Sequence, residues 1–502
     1  MLDQLLTGFS DAFNLINLLY IAVGITLGII IGAIPGLGSV TALAVLIPVS
    51  YYMPPLSAIA FLVGVNKGGT SGGAIPAILL NSPGTPEAAA TALDGHPMAK
   101  KGESERAMKF ALYSSVSGDT ISDVLLIFLV VPVAAIALQF GPLEFTAVLT
   151  FAFALLAGIS GGSLIKGLIA IVLGVFLSTI GLDPMDSSAR MTFGTVYLFD
   201  GLPLIAVAIG SLALASVIEQ IFDLWRAGGE AKSANGTNAT AKNSKLPLRE
   251  FLGHWRTIIR SALIGSGIGM LPGLGVTLAA FLSYGAARNA SKTPENFGKG
   301  NPEGIVATEA ANSAVVGANL VPTIALGIPG NIAAALLISA FIIHGIVPGP
   351  FMLTMHGDII YALFASMIIA NFVHLAIGRT GIPIWAKIAK APRSLILPTV
   401  VVLCIVGVYL PAQSMFDVGI MLAFGGIGLV MRRTGFSVVC LVIGFILGGM
   451  FETSLRQSLL LYKSDFTAIA NSPIAIVFLT LTAILFLRAG WREVKNAIKW
   501  KY

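Results

Sequence analysis

Gly32-Ala33-Ile34-Pro35-Gly36-Leu37-Gly38 and Gly269-Met270-Leu271-Pro272-Gly273-Leu274-Gly275 are two copies of one stretch, 237 residues apart from Pro35 to Pro272. Each follows an apolar run that reads as a helix, and each is itself a poor helix, because proline removes a backbone donor and glycine is conformationally loose. A second pattern is duplicated behind each copy. Pro76-Ala77-Ile78-Leu79-Leu80-Asn81-Ser82-Pro83-Gly84-Thr85 answers Pro322-Thr323-Ile324-Ala325-Leu326-Gly327-Ile328-Pro329-Gly330-Asn331, 246 residues apart from Pro76 to Pro322, with proline, isoleucine, leucine and Pro-Gly in register. Two helix-breaking motifs, in the same order in two halves of one apolar chain, form the sequence pattern of a transporter built from structural repeats.

The composition excludes a soluble protein. Of 502 residues, 56% are apolar and 11% charged, against about 25% charged in soluble domains, and the mean hydropathy is +0.89. Apolar segments of roughly 20 residues recur, each long enough to cross a hydrocarbon core of about 30 Å. The runs do not alternate in polarity, so the expected fold class is an all-α integral membrane protein, a polytopic helical bundle with broken or re-entrant helices, and not a barrel. Cys404 and Cys440 lie in apolar segments and read as small core residues. The net charge of +6 fits basic cytoplasmic loops. The first 66 residues contain no Lys or Arg, so no signal peptide is expected.

Charge divides the chain. Residues 1–226 read as a first membrane repeat, 227–250 as a cytoplasmic linker, 251–455 as a second repeat, and 456–502 as an additional helix with a basic tail. Apolar spans are expected near 13–34, 110–136, 141–160, 165–182, 202–222 and 471–488, with 12 to 15 crossings in all. The Gly-, Ser-, Thr- and Pro-rich stretch 57–95 would, as irregular backbone, have to line a cavity or pack inside protein. Asn235 and Asn238 match the glycosylation acceptor pattern, but they sit in the basic linker. Loop charge inverts between the halves: the uncharged 51–56 turn answers the basic 288–299 loop, and the basic 100–109 loop answers the base-free 345–355 stretch. The base-poor 137–144 loop likewise answers Arg379, Lys387, Lys390 and Arg393, and the acidic 183–186 loop answers Arg432-Arg433. Inverted-topology repeats follow, with the N-terminus outside and the C-terminus inside.

Broken helices aim backbone N–H groups and a partial positive charge into a cavity, a field that suits an anion. The candidate substrate-binding residues in the first half are Gly36, Gly38, Asn66, Lys67, Thr70, Ser71, Asn81, Ser82, Gly84 and Thr85. Those in the second are Gly273, Gly275, Asn312, Ser313, Asn319, Thr323, Gly330 and Asn331. Their hydroxyls and amides can hydrogen-bond carboxylate oxygens, while Glu309, and with it Asp119, is a candidate for coupling a cation. Small polar residues also serve helix packing alone. Lys67 either faces a substrate or snorkels to an interface, and Asp119 and Asp123 are expected near an interface. The histidines show no ligand spacing, so neither a metal nor a cofactor is expected, only a coupling ion, Na⁺ or H⁺. No P-loop, HExxH or G-x-S-x-G motif is present, which disfavours an enzyme; a membrane enzyme acting on lipid-linked substrates is the alternative.

The stretches 32–38, Asn81 to Thr85 with Asp94-Gly95-His96-Pro97-Met98-Ala99, Gly181-Leu182-Asp183-Pro184, 269–275, Glu309-Ala310-Ala311-Asn312-Ser313, 326–330 and His344 to Pro350 resemble the large membrane subunit of the tripartite tricarboxylate transporters, the TctA family. The resemblance implies a bacterial inner-membrane protein that takes up carboxylates such as citrate by secondary transport. It also implies two partners, a small four-helix membrane subunit (TctB-like) and a periplasmic solute-binding protein (TctC-like). Lys67 and Ser313 depart from the family pattern, which points to a substrate other than citrate.

Overall fold

The computed structural model describes residues 2–159, 163–226, 246–272, 275–389, 393–463, 469 and 471–499. Gly273, the linker stretch 227–245 with Asn235 and Asn238, and Lys390 lie outside the described residues. The chain is an all-α, multi-pass membrane protein. Six described helices are long and apolar enough to cross a membrane, and six more apolar helices have 10–17 residues.

In the first half α1 (Leu2–Ala12) and α2 (Leu15–Gly32) precede the first break. Then follow α3 (Gly38–Ser50), α4 (Pro55–Gly72), α5 (Ala74–Leu80), α6 (Ala88–Lys100), α7 (Ser104–Ala137), α8 (Pro142–Ile159) and α9 (Leu164–Ser178). The half closes with α10 (Leu204–Ala208), which runs through a wide turn, Ile209–Leu214, into α11 (Ala215–Arg226). The second half repeats the order: α12 (Leu248–Leu252), α13 (Trp255–Gly269), α14 (Gly275–Ala290), α15 (Pro302–Ala318), α16 (Leu320–Leu326) and α17 (Ile332–Ile343). Short α18 (Met352–Met355) leads to α19 (Gly357–Ile388), α20 (Arg393–Ala412), α21 (Met415–Thr434), α22 (Val438–Leu461) and a last helix, α23 (Pro473–Lys499).

Local chemistry sets these limits. Asn14 caps α2 by accepting from the Ile16 N–H at 3.1 Å, and Pro55 sits at the first position of α4, where no donor is lost. Stretch 57–95, expected as irregular, is mostly helical and buried. Its glycines do not loosen the chain; they bring backbones together. On α2, a Cβ at Gly24, Gly28 or Gly32 would strike the carbonyls of Phe61, Val65 and Gly69 on α4. Reciprocally, one at Gly64, Gly68 or Gly72 would strike the carbonyls of Ile21, Ile25 and Ile29. Two glycine rows at four-residue spacing thus form one seam, which permits van der Waals contact between helix backbones where lipid supplies no hydrophobic drive.

The seam recurs in the second half with the same partners. Gly265 faces the Ala311 carbonyl and Gly269 faces Val315, the positions that correspond to Gly28 with Val65 and Gly32 with Gly69 at the 237- and 246-residue offsets of the sequence repeat. The long helices are exchanged: α7 packs on α13, α15 and α16, and α19 packs on α1, α2 and α4.

After α9 the chain forms a two-residue hairpin, Gly181–Leu182 with Ala189–Arg190, where a continuing span to 182 was expected. Asp183 ends the span: its Oδ1 accepts from the N–H groups of Met185 and Asp186, which turns the chain. Its Oδ2 meets Arg456 at 2.6 Å and Arg190 at 3.4 Å, and both arginines also bond Glu452. The backbone N–H of Met185 and the Arg456 guanidinium hold the Asp183 carboxyl down at about 2. A carboxylate with a depressed folded value contributes stability that is present above its unfolded value of about 3.9 and is lost as pH falls through the folded one. Asp183→Asn is therefore expected to lower the melting temperature at pH 7. The gap from wild type is expected to narrow as pH falls from 4 towards 2, as read by thermal unfolding in detergent.

Candidate functional site

The two breaks of each half meet at one place. In the first half Gly36 and Gly38 have φ of +86° and +63°, and Asn81, which ends α5, has φ of 52°. The Gly84 N–H donates to the Gly73 carbonyl at 3.2 Å. A Cβ on Gly84 would strike the Gly32 carbonyl, and one on Gly38 would lie 3.0 Å from the Thr85 methyl. In the second half a Cβ on Gly330 would lie 2.7 Å from the Gly269 carbonyl and from Asn319 Cβ. Gly269 answers Gly32, and Asn319 answers Gly73. The sequence motifs therefore encode a tip-to-tip crossing, built twice, that only glycine backbones permit.

Beside the crossings stand α4 and α15, which are in contact. Asn66 on α4 corresponds to Asn312 on α15, and Lys67 to Ser313, all at the 246-residue offset and all at most 1% exposed. Asn66 Nδ2, both polar atoms of Asn312 and Asn319, and Ser313 Oγ have no hydrogen-bond partner among the described residues. Each such buried group costs about 1–3 kcal/mol, so native proteins keep few of them. Four residues singled out from the sequence carry six such atoms between them.

Thr85 Oγ1 is likewise buried without a partner among the described residues, whereas Thr323 and Asn331 are satisfied locally. Thr323 donates to the Asn319 carbonyl at 2.6 Å, and Asn331 caps α17 by accepting from the Ala334 N–H at 2.9 Å. Asn81 is exposed, Ser82 is half-buried, Thr70 is buried, and the Gly36 carbonyl accepts from Gln220 at 3.3 Å. Gly275, at φ +75°, starts α14.

Lys67 does not snorkel. It is 1% exposed, and its Nζ donates to Asp123 Oδ2 at 2.6 Å and to Asn371 Oδ1 at 2.7 Å, with Asp119 Oδ1 at 3.7 Å. Asn371 Nδ2 also donates to Asp123 Oδ2 at 2.8 Å. Asp119 and Asp123, expected near an interface, are instead buried within the protein, at 0% and 1% exposure. The reason is the length of α7: it starts at Ser104, so Arg106 and Lys109 occupy its first turns, and Asp119 lies about 22 Å further along at 1.5 Å per residue. Asp119 is held loosely, with Oδ2 at 4.0 Å from His374 Nδ1 and no hydrogen bond on either oxygen among the described residues. His374 Nε2 meets the Ser71 hydroxyl at 2.7 Å. Glu309 has different company: Thr91 donates to it at 2.5 Å and Ser115 at 2.8 Å.

Asn371 and His374 are absent from the sequence-based site. Their signal was present, as two polar residues one helical turn apart inside the apolar run Met367 to Ile377; polar residues in such a setting are functional by default.

Asp94, from the Asp94-Gly95-His96 motif, is a fastener. Its Oδ1 accepts the N–H groups of Gly298, Gly300 and Asn301 at 2.8–2.9 Å, and its Oδ2 accepts the Tyr284 hydroxyl at 2.9 Å. This ties α6 to the loop that starts α15. Asp94→Ala is expected to cost about 3 kcal/mol, the scale of one or two lost bonds to a charged group. Asp94→Asn, which keeps an oxygen acceptor, should cost less; thermal unfolding of the two variants in detergent checks the order.

The Tripartite tricarboxylate transporter TctA family matches residues 18–443. An uncharacterized 52.8 kDa protein in the TAR-I ttuC' 3' region of Agrobacterium vitis is 32% identical over 481 residues, covering 96% of this chain and 94% of that protein. An uncharacterized protein in the TAR-II ttuC' 3' region of the same organism is 35% identical over 232 residues, covering 46% of this chain and 96% of that protein. No solved structure matches the chain.

Proposed function

Because the chain belongs to the tripartite tricarboxylate transporter TctA family, we propose that it is the large membrane subunit of a binding-protein-dependent secondary transporter that imports organic acids. It works in the bacterial inner membrane, with its N-terminus outside and its C-terminus inside. A small four-helix membrane subunit and a periplasmic solute-binding protein complete the system, and an ion gradient drives it. The two halves are inverted-topology repeats, a reading supported by the repeated glycine seam and the inverted loop charges.

The observation that carries this reading is the set of buried, unpartnered groups, three amides and one hydroxyl, on Asn66, Asn312, Asn319 and Ser313, next to the twin helix breaks. Amide N–H groups and a hydroxyl are the donors a carboxylate accepts, and helix breaks supply further backbone donors. Lys67 is spent on Asp123, so substrate charge is met by neutral donors and helix ends and not by a lysine.

The test is uptake of labelled di- and tricarboxylates into proteoliposomes holding this chain with the two partner proteins, with and without an ion gradient. Gradient-dependent uptake of at least one acid is expected. No uptake of any acid, with all three components folded, would overturn the reading.

A further inference from the structure

We propose that Ser71, His374 and Asp119 form a proton relay, and that the ion coupled to transport is a proton received by the Asp119–Asp123 carboxylate pair that Lys67 half neutralises. The physiological purpose rests on the transport reading above; the protonation itself does not.

Charge comes first. The charged and titratable groups facing this cluster are Lys67 from α4, Asp119 and Asp123 from α7, Glu309 from α15 and His374 from α19. Glu309 is bonded by the Thr91 and Ser115 hydroxyls and belongs to a separate pocket of donors. One ammonium therefore stands against two carboxylates, all at most 1% exposed. An unbalanced buried charge costs several kcal/mol, so the cluster requires one more positive charge. The atoms to receive it are present: both oxygens of Asp119 and Asp123 Oδ1 are buried without a hydrogen-bond partner among the described residues, and so is His374 Nδ1, the nitrogen that can donate to them.

Geometry then selects the ion. An imidazole nitrogen faces Asp119, and hard metal cations prefer oxygen ligands. The Lys67 ammonium, 3.7 Å from Asp119, would repel a metal cation bound there. A proton meets the same repulsion but needs no ligand shell: it forms a single O–H bond on Asp119 and leaves Lys67 in place.

A route also exists. Ser71 is half-buried and lines a cavity with Ile29, Ile75, Met108, Leu112 and Trp385. A proton delivered to Ser71 Oγ sends the hydroxyl proton, donated to the Gly68 carbonyl at 3.2 Å, to His374 Nε2 at 2.7 Å, and the Nδ1 proton leaves for Asp119 Oδ2. One proton enters and one O–H bond forms on Asp119; the imidazole ends as its other tautomer and keeps it until the Asp119 proton is released back through the relay, which restores the first. The 4.0 Å gap between Nδ1 and Oδ2 closes to hydrogen-bond length with a shift of about 1 Å.

The experiment is a difference-infrared pH titration of the purified full chain in detergent, following the protonated-carboxyl C=O band and its rate of appearance after a pH jump. Asp119→Asn is expected to lose one carboxyl from the band; should that variant not fold, Asp119→Glu is expected to shift the band instead. His374→Gln should keep the band but slow its appearance about 100-fold. Ser71→Ala should slow it too, with recovery in Ser71→Thr. Replacing choline chloride by sodium chloride should leave the titration unchanged. A full, unshifted band in the Asp119 variants, a wild-type rate in His374→Gln, or an Asp119-dependent response to sodium would overturn the proposal. No substrate is needed, so a failed uptake assay leaves this result intact.

Discussion

Replacing Gly28 with leucine is expected to remove most of the folded protein from the membrane. A Cβ there would strike the Val65 carbonyl and lie 2.9 Å from the Gly69 nitrogen. Overpacking in a core that can repack costs about 1–3 kcal/mol. Here the obstacle is the backbone of α4, which cannot swing aside like a side chain, and the loss should exceed about 3 kcal/mol on the same scale. The seam is also what places the first helix break, since Gly32 follows Gly28 by one turn and closes against Gly69. Gly267→Ala is the control, because a Cβ there has nothing within 4 Å among the described residues; a gain of up to about 1 kcal/mol in helix propensity is expected. Yield of monodisperse protein and thermal unfolding in detergent read both. A Gly28→Leu protein that melts with wild type would mean that the seam does not hold α2 to α4.

The second large effect is expected at Lys67. Lys67→Met leaves Asp119 and Asp123 buried together without their cation, and breaking a buried pair from one side costs about 3–5 kcal/mol. Asp123→Asn should be milder, since Lys67 then faces Asp119 alone and the charges balance. The double variant Lys67→Met, Asp123→Asn should recover part of the loss, and the cycle of four melting curves measures the coupling. Additive losses would mean that the 2.6 Å contact carries no net pairing energy.

Much of this molecule was legible before the coordinates. The Pro-Gly repeats located both pairs of breaks, because proline and glycine act locally and their effect does not wait for a partner. The seam was hidden in plain view: Gly24, Gly28 and Gly32 show their spacing in sequence, but which row they face depends on how α2 and α4 are placed. The 237- and 246-residue offsets were readable in the motifs, but that Gly28 with Val65 and Gly265 with Ala311 are equivalent contacts emerges only from the structure.

Site residues followed the same division. Asn66 and Asn312 were found because they stand in clusters of polar residues within apolar stretches. Asn371 and His374 lie in α19, which crosses to the other half to reach Lys67 and Ser71, a juxtaposition of 304 and 303 positions along the chain that no local pattern encodes. Asp119 and Asp123 were misplaced because helix length was judged from the basic loop, and α7 begins inside that loop.

The most direct measurement is made on Asn66→Leu and Asn312→Leu, comparing the melting temperature of the apo protein with the KM for an acid that the wild type takes up. Leucine keeps asparagine's branching and number of side-chain heavy atoms and removes a buried group that has unpartnered atoms. If these amides are held for substrate, each variant should melt at or above the wild-type temperature while its KM rises roughly 10-fold or more, the equivalent of one hydrogen bond to a charged group. A lowered melting temperature with an unchanged KM would show that the amides serve packing and that the solute binds elsewhere.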